Sequence, residues 1–330
     1  MLKNMDKFNM KKVIAESPEQ LVKGLDLAKG VKVEGTFKNV IICGMGGSAL
    51  PANILNALTH PNIPIYIHRD YGLPKEADMG SLIICVSYSG NTEETVSALK
   101  KTISRGFKVV SIATGGKLEK ISKQNNIILV KIPSGIQPRS ATGYMFSVLA
   151  VILSNCGIIS DISNDILKTA ESLKKISSKL EKQGKNIAQK LKNKIPVVYA
   201  SNNFKTVARI WKIKFNENSK IPAFCNYFPE LNHNEMVGFT QTNKKNNFFV
   251  LIIKNKDDHS RIAKRMALTS SILNKKGIKT EFIETEGDFA MSRLFACLLL
   301  GDWISYQLGM NYKIDPTPVK MVEDFKKMMG

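Results

Sequence analysis

Along the first half of the chain, short apolar runs alternate with amphipathic segments. Val-, Ile-, Leu- and Cys-rich runs at 39–43, 63–67, 81–87, 108–113 and 126–131 predict strands. Segments with apolar residues at helical spacing predict helices at 49–58, 93–105, 118–123 and 141–155. The central runs are apolar at nearly every position, as expected of parallel strands covered on both faces. A helical arm around 18–28 precedes the first strand. The pattern resets at 156–165, and a long amphipathic helix follows at 166–191. A second alternation then reads strand 196–200, helix 205–214, strand 248–253, helix 260–275, strand 280–284 and helix 291–308, with a short last helix at 322–329. The pattern predicts an α/β protein of two domains, 1–155 and 156–330, each a parallel sheet flanked by helices.

Composition narrows the class. A chain of 330 residues with 43% hydrophobic content suffices for two cores. The formal net charge is +20, but the lysines are scattered and, across 168–194, interleave with Leu and Ile at helical spacing. This is the pattern of a solvated helix face. No helix-turn-helix, zinc-finger or aromatic RNA-binding motif accompanies it, so nucleic acid and membrane are not expected partners. The charge is suited to drawing anionic substrates toward the protein. Five widely spaced cysteines, two of them in strand-like runs, argue for buried thiols in a reducing compartment. The first residues lack the apolar core of a signal peptide, and the longest apolar run, 145–153, is too short to span a bilayer. A cytoplasmic location is the expectation.

Candidate chemistry begins where the 81–87 strand ends. Ser87-Tyr-Ser-Gly-Asn-Thr92 places the hydroxyls of Ser87, Ser89 and Thr92 at the start of a helix. A helix N-terminus offers unpaired N–H groups and partial positive charge, which suit a phosphate dianion. Gly90 permits a sharp turn and close approach to a ligand. Singly, such residues are ordinary N-caps; three hydroxyls within six residues after an apolar strand favour a phosphate cradle. A second strand-to-helix turn, Gly44-Met-Gly-Gly-Ser48, adds Gly47 and Ser48. Neither turn is a Walker A loop or a dinucleotide fingerprint.

Three further segments carry groups for acid–base or electrostatic work. Arg139 lies in the turn from 133 to 143 and is able to bind phosphate or stabilise an oxyanion. Glu217 follows an apolar helix and is a candidate general base; Glu230 and Glu235 are its rivals in the next polar segment, where His233 also lies. No ligand set for a metal is visible, and none is expected, nor is any organic cofactor.

Gly44-Met-Gly-Gly-Ser48, Ser87-Tyr-Ser-Gly-Asn-Thr92, Pro138-Arg-Ser140, Asn216-Glu-Asn218, Glu230-Leu-Asn-His-Asn-Glu235 and Asp315-Pro-Thr-Pro318 together resemble the bifunctional phosphoglucose/phosphomannose isomerases, two-domain sugar isomerase (SIS) proteins. The resemblance covers almost the whole chain in the right order. It implies two SIS-type domains, each a flavodoxin-like three-layer sandwich. It also implies metal-independent aldose–ketose isomerisation of glucose 6-phosphate and mannose 6-phosphate to fructose 6-phosphate through a cis-enediolate. By this resemblance Gly47, Ser48, Ser87, Ser89 and Thr92 hold the sugar phosphate, Glu217 moves the proton, and Arg139 stabilises the enediolate. His233 assists ring opening from across a homodimer interface. A lysine of the last helix completes the site, with Lys326 favoured over Lys320, and Thr317 corresponds to the position linked to the mannose epimer. Two other readings remain open: a non-catalytic SIS sensor of sugar phosphate, and an isomerase of an amino sugar phosphate.

Overall fold

The computed structural model describes residues 5–241 and 247–329. The chain divides into two compact units, one spanning Glu16–Lys174 and the other running from Lys175 onward together with the described residues before Glu16. The sequence reading divides the chain after 155; the units instead divide inside the long helix that follows.

Helix α1 (Met10–Ala15) belongs to the second unit. The first unit contains α2 (Ser17–Leu27), β1 (Asn39–Cys43), α3 (Gly46–Leu58), β2 (Ile65–His68), β3 (Ser81–Val86), α4 (Glu93–Ser104), β4 (Lys108–Ala113), α5 (Gly116–Gln124), β5 (Ile128–Lys131) and α6 (Thr142–Asn155). Its strands form one parallel sheet in the order β2-β1-β3-β4-β5. β3 is buried at every position, which explains the apolar run from Leu82 to Val86. Ile41, Cys43, Ile83 and Cys85 pack with Val96, Leu99 and Leu118 in one face of this core. Each such buried aliphatic side chain contributes roughly 1.5–3 kcal/mol. The strand order reverses direction between β1 and β3, so the crevice beyond their carboxyl ends is the expected ligand position. The turns that leave those two ends are the Ser48 and Ser87 turns.

Helix α7 (Ser163–Lys190) leads onward to β6 (Ile195–Ser201), α8 (Lys205–Asn218), β7 (Phe224–Phe228), β8 (Phe248–Lys254), α9 (Ser260–Lys275), β9 (Lys279–Glu284), α10 (Ala290–Asn311) and α11 (Lys320–Met329). The second sheet is also parallel, in the order β7-β6-β8-β9. Strand β7 is absent from the sequence reading. It lies at the sheet edge, is mostly half-exposed, and sits between Pro222 and Pro229, so it lacks the apolar continuity of a central strand.

Helices α8 and α10 meet closely because α10 carries glycine where α8 carries tryptophan. A Cβ on Gly301 would stand 2.4 Å from Trp211 Nε1. The Trp211 indole donates to the Cys297 carbonyl at 2.9 Å, and buried Lys214 pairs with Asp302. These contacts hold the carboxyl end of α8, where Glu217 lies. Among the described residues, no helix is long and apolar enough to cross a membrane.

Candidate active site

In the first unit the three predicted anion-binding segments come together. The Tyr88 amide donates to the Ser48 hydroxyl at 3.0 Å, joining the turns after β1 and β3. Ser48 thereby accepts from within the protein and keeps its own hydrogen to donate. The Tyr88 phenol donates to the Pro133 carbonyl at 3.0 Å and accepts from the Ile136 amide at 3.1 Å, fixing the loop that leads to Arg139. Burial pushes the Tyr88 phenol above its ordinary range, so it stays a neutral donor.

Gly47 supplies the remaining closeness. A Cβ there would lie 2.7 Å from the Arg139 amide nitrogen and 2.8 Å from the Pro138 carbonyl carbon. Only glycine lets the 138–140 turn sit on the first turn of α3. Arg139 is buried at 1% exposure, and its guanidinium reaches Gln137 Oε1 at 3.4 Å.

The four candidate hydroxyls are not equivalent. Ser87 is fully buried; its hydroxyl donates to Thr92 Oγ1 at 2.8 Å and accepts from the Thr92 amide at 3.4 Å. It braces Thr92, whose hydroxyl opens α4. Ser89 is exposed and accepts from the Asn91 amide at 3.2 Å. Gly90 adopts φ +71°, and a Cβ there would fall 1.7 Å from the Gly115 carbonyl oxygen. The Leu118 amide donates to the Gly90 carbonyl and the Thr114 amide to the Tyr88 carbonyl, each at 2.9 Å, so the turn rests on the loop after β4. The first turn of α4 contains Glu93 and Glu94, whereas that of α3 has no acidic residue. The start of α3 is therefore the better place for a dianion.

In the second unit Glu217 is half-buried on the last turn of α8. Its neighbours are firmly placed: Asn218 donates to Ser305 Oγ at 2.9 Å, and the Ser219 hydroxyl to the Ser305 carbonyl at 2.7 Å. Lys220 donates to the Glu217 carbonyl and, at 3.1 Å, to the Pro316 carbonyl. Thr317, next in the chain, is buried, and its amide donates to Asp315 Oδ1 at 3.0 Å. Thus Glu217 and Thr317, far apart in sequence, are tied to one turn.

The rival carboxylates have structural partners. Glu235 accepts from the Tyr199 phenol at 2.6 Å through one oxygen and from Asn226 through the other. Burial first, and then this bond to Glu235, push the Tyr199 phenol far up. Glu230 is exposed and accepts from Asn234 Nδ2 at 2.8 Å.

His233 is not brought to Glu217 within one chain. Helix α8 runs back from the carboxyl end of β6, so Glu217 precedes the amino end of β7. His233 follows the carboxyl end of β7, whose five residues span about 16 Å. The two stand at opposite ends of the same strand, and His233 is exposed. Lys326 and Lys320 both lie on α11, a helix without buried residues.

Sequence reasoning missed Tyr88 and Lys220. Tyr88 is an aromatic residue inside a polar turn, and that contrast was a usable signal. Lys220 gives none, because its φ of +57° and its two carbonyl partners are tertiary facts. Among the described residues, no group of three or more His, Cys, Asp and Glu is arranged to hold a metal ion.

Comparison with known proteins adds a family to this geometry. Residues 180–329 match the family model of the bacterial phospho-glucose isomerase C-terminal SIS domain. A bifunctional phosphoglucose/phosphomannose isomerase from Caldicellulosiruptor bescii is 36% identical over 95% of this chain and 96% of its own length. The chain belongs to the bifunctional phosphoglucose/phosphomannose isomerase family. A relative of the same name from Thermoplasma acidophilum is 37% identical over 90% of this chain and 91% of its own. The fold is shared more widely than the sequence. A hypothetical protein from Thermus thermophilus superposes with a TM-score of 0.73 at 14% identity, covering 98% of this chain and 91% of that one.

Proposed function

We propose that this protein interconverts glucose 6-phosphate and mannose 6-phosphate with fructose 6-phosphate by metal-independent proton transfer. The observation that carries the proposal is Glu217, half-buried and braced at the end of α8, in a chain 36% identical over 95% of its length to a phosphoglucose/phosphomannose isomerase.

The proton on C2 is acidic only when C1 is a carbonyl, so the pyranose opens first. His233 assists that opening, with Lys326 as the further cation of the site. The Glu217 carboxylate takes the C2 proton, giving a cis-enediolate, and returns it to C1, while proton transfer between the two oxygens completes the ketose. Reversal with return to either face of C2 yields either aldose. Arg139 stabilises the enediolate charge. A general base of this kind typically contributes about 10²- to 10⁴-fold. The phosphate binds at the start of α3 through Ser48 and the Gly47 backbone, and at the start of α4 through Thr92 and Ser89. Ser87 acts through Thr92. Thr317 takes part in accepting the mannose epimer. Binding energy from the distant phosphate orients the reacting carbons.

The opposed positions of Glu217 and His233 about β7 support an active homodimer, in which His233 serves the Glu217 of a second copy. The compartment fitting this substrate is the cytoplasm.

The decisive experiment supplies purified protein, in EDTA, with glucose 6-phosphate, mannose 6-phosphate or glucosamine 6-phosphate, and measures fructose 6-phosphate. Formation from the first two and not the third is expected. Tight binding of all three without turnover would replace the enzyme with a sugar-phosphate sensor.

A further inference from the structure

Lys220 occupies a backbone conformation that favours glycine. It follows the C-cap Ser219 of α8 with φ +57°, the left-handed position that commonly closes a helix. A side chain with Cβ is disfavoured there, and lysine lacks the short polar side chain that reconciles Asn or Asp to it. The cost is offset by what its ammonium reaches. One N–H donates to the Glu217 carbonyl, in the last turn of α8, where carbonyls have no partner within the helix and a cation complements the helix dipole. Another donates to the Pro316 carbonyl at 3.1 Å.

Each end of this bridge leads directly to a site residue. Glu217 carries the candidate base, and Pro316 is bonded to Thr317. The Thr317 amide is itself fixed to Asp315. The backbones approach closely nearby: a Cβ on Gly309 would lie 2.7 Å from the Asn218 carbonyl oxygen, and the Ile314 amide donates to the Gly309 carbonyl at 3.1 Å. The end of α8 and the segment after α10 are therefore stitched together, and Lys220 is a stitch that holds Glu217 itself and the residue next to Thr317.

We infer that Lys220 is a positioning residue that sets the carboxylate of Glu217 against Thr317 and so governs how the two C2 epimers are handled. The inference rests on the isomerase reading above. Lys220 does not transfer a proton; it fixes two backbone carbonyls, so its loss changes alignment more than affinity.

The test compares wild-type protein with Lys220→Met, Lys220→Arg and Lys220→Gly, measuring kcat and KM for glucose 6-phosphate and mannose 6-phosphate and the thermal midpoint of each variant. Lys220→Met removes the donors. Lys220→Gly removes them while easing the left-handed backbone, which keeps the test available if Lys220→Met folds poorly. Both are expected to lower kcat about tenfold or more, as misplacement of a reacting group does, to leave KM within about twofold, and to shift the ratio of the two kcat/KM values several-fold. Lys220→Arg, which restores donors, recovers most of both effects. An unchanged epimer ratio with kcat near wild type in a folded Lys220→Gly protein would overturn the inference. So would equal loss in Lys220→Arg and Lys220→Gly. Wild-type turnover, abolished in Glu217→Gln, checks the underlying reading separately.

Discussion

The backbone amide of Tyr88 donates to the hydroxyl of Ser48 across 3.0 Å, in a buried position, and thereby joins turns that are 40 residues apart in sequence. Because Ser48 accepts from Tyr88, its hydroxyl oxygen is held in place and its hydrogen is kept out of the direction of that amide, free to donate to a ligand. Preorganisation of this kind is what a phosphate site needs: donors fixed in place cost no reordering when the dianion binds.

In the proposed site Ser48 donates to the substrate phosphate, and Ser48→Ala removes that donor. A hydrogen bond to a charged group is worth about 1.5–3 kcal/mol, so the KM for fructose 6-phosphate is expected to rise roughly 10- to 100-fold with a smaller change in kcat. Steady-state kinetics and competition by inorganic phosphate measure this.

Tyr88→Phe retains the amide bond to Ser48 and deletes both phenol bonds, to Pro133 and Ile136. The 133–136 loop loses its anchor, and Arg139 follows that loop. The expected result is a stability loss of about 1–3 kcal/mol in denaturant unfolding, with kcat reduced more than phosphate affinity.

Gly90→Ala tests the shape of the turn. The new Cβ would overlap the Gly115 carbonyl oxygen at 1.7 Å, on a backbone already at φ +71°. No side-chain rotation relieves this, because the obstacle is backbone. A lowered unfolding midpoint together with lost phosphate binding is expected. A variant with wild-type stability would show that the 87–92 turn is free to move from the loop after β4.

Glu217→Gln and Glu235→Gln separate base from brace. Glu217→Gln is expected to lower kcat by about 10² or more while sugar-phosphate binding persists. Glu235→Gln is expected to keep kcat within several-fold of wild type but to lower the thermal midpoint. The substituted amide cannot accept from both Tyr199 and Asn226, the partners that hold this carboxylate now. Calorimetry and a coupled assay on the same preparations distinguish the two.

Much of the architecture was legible because burial on both faces leaves a direct trace. The apolar run of β3 from Leu82 to Val86 and the short helical periods around it suffice to predict a parallel sheet. The turns after β1 and β3 were legible for a similar reason, since glycines and hydroxyls directly after a buried strand mark a tight strand-to-helix turn. By contrast, β7 left no trace, because an edge strand is only partly buried and satisfies no strict period.

The sequence by itself determined the residue types and their order: hydroxyl turns after β1 and β3, a carboxylate at the end of α8, an imidazole beyond β7. Only the tertiary structure decided which groups within each unit act together. It made Ser87 a brace for Thr92, gave Glu235 to Tyr199 and Asn226, tied Glu217 to the Thr317 turn through Lys220, and set His233 at the far end of the strand from Glu217. The physical reason is that periodicity and turn chemistry are local, acting over a few residues. The direction in which a hydroxyl or ammonium spends its hydrogens depends instead on partners brought close only when the core packs.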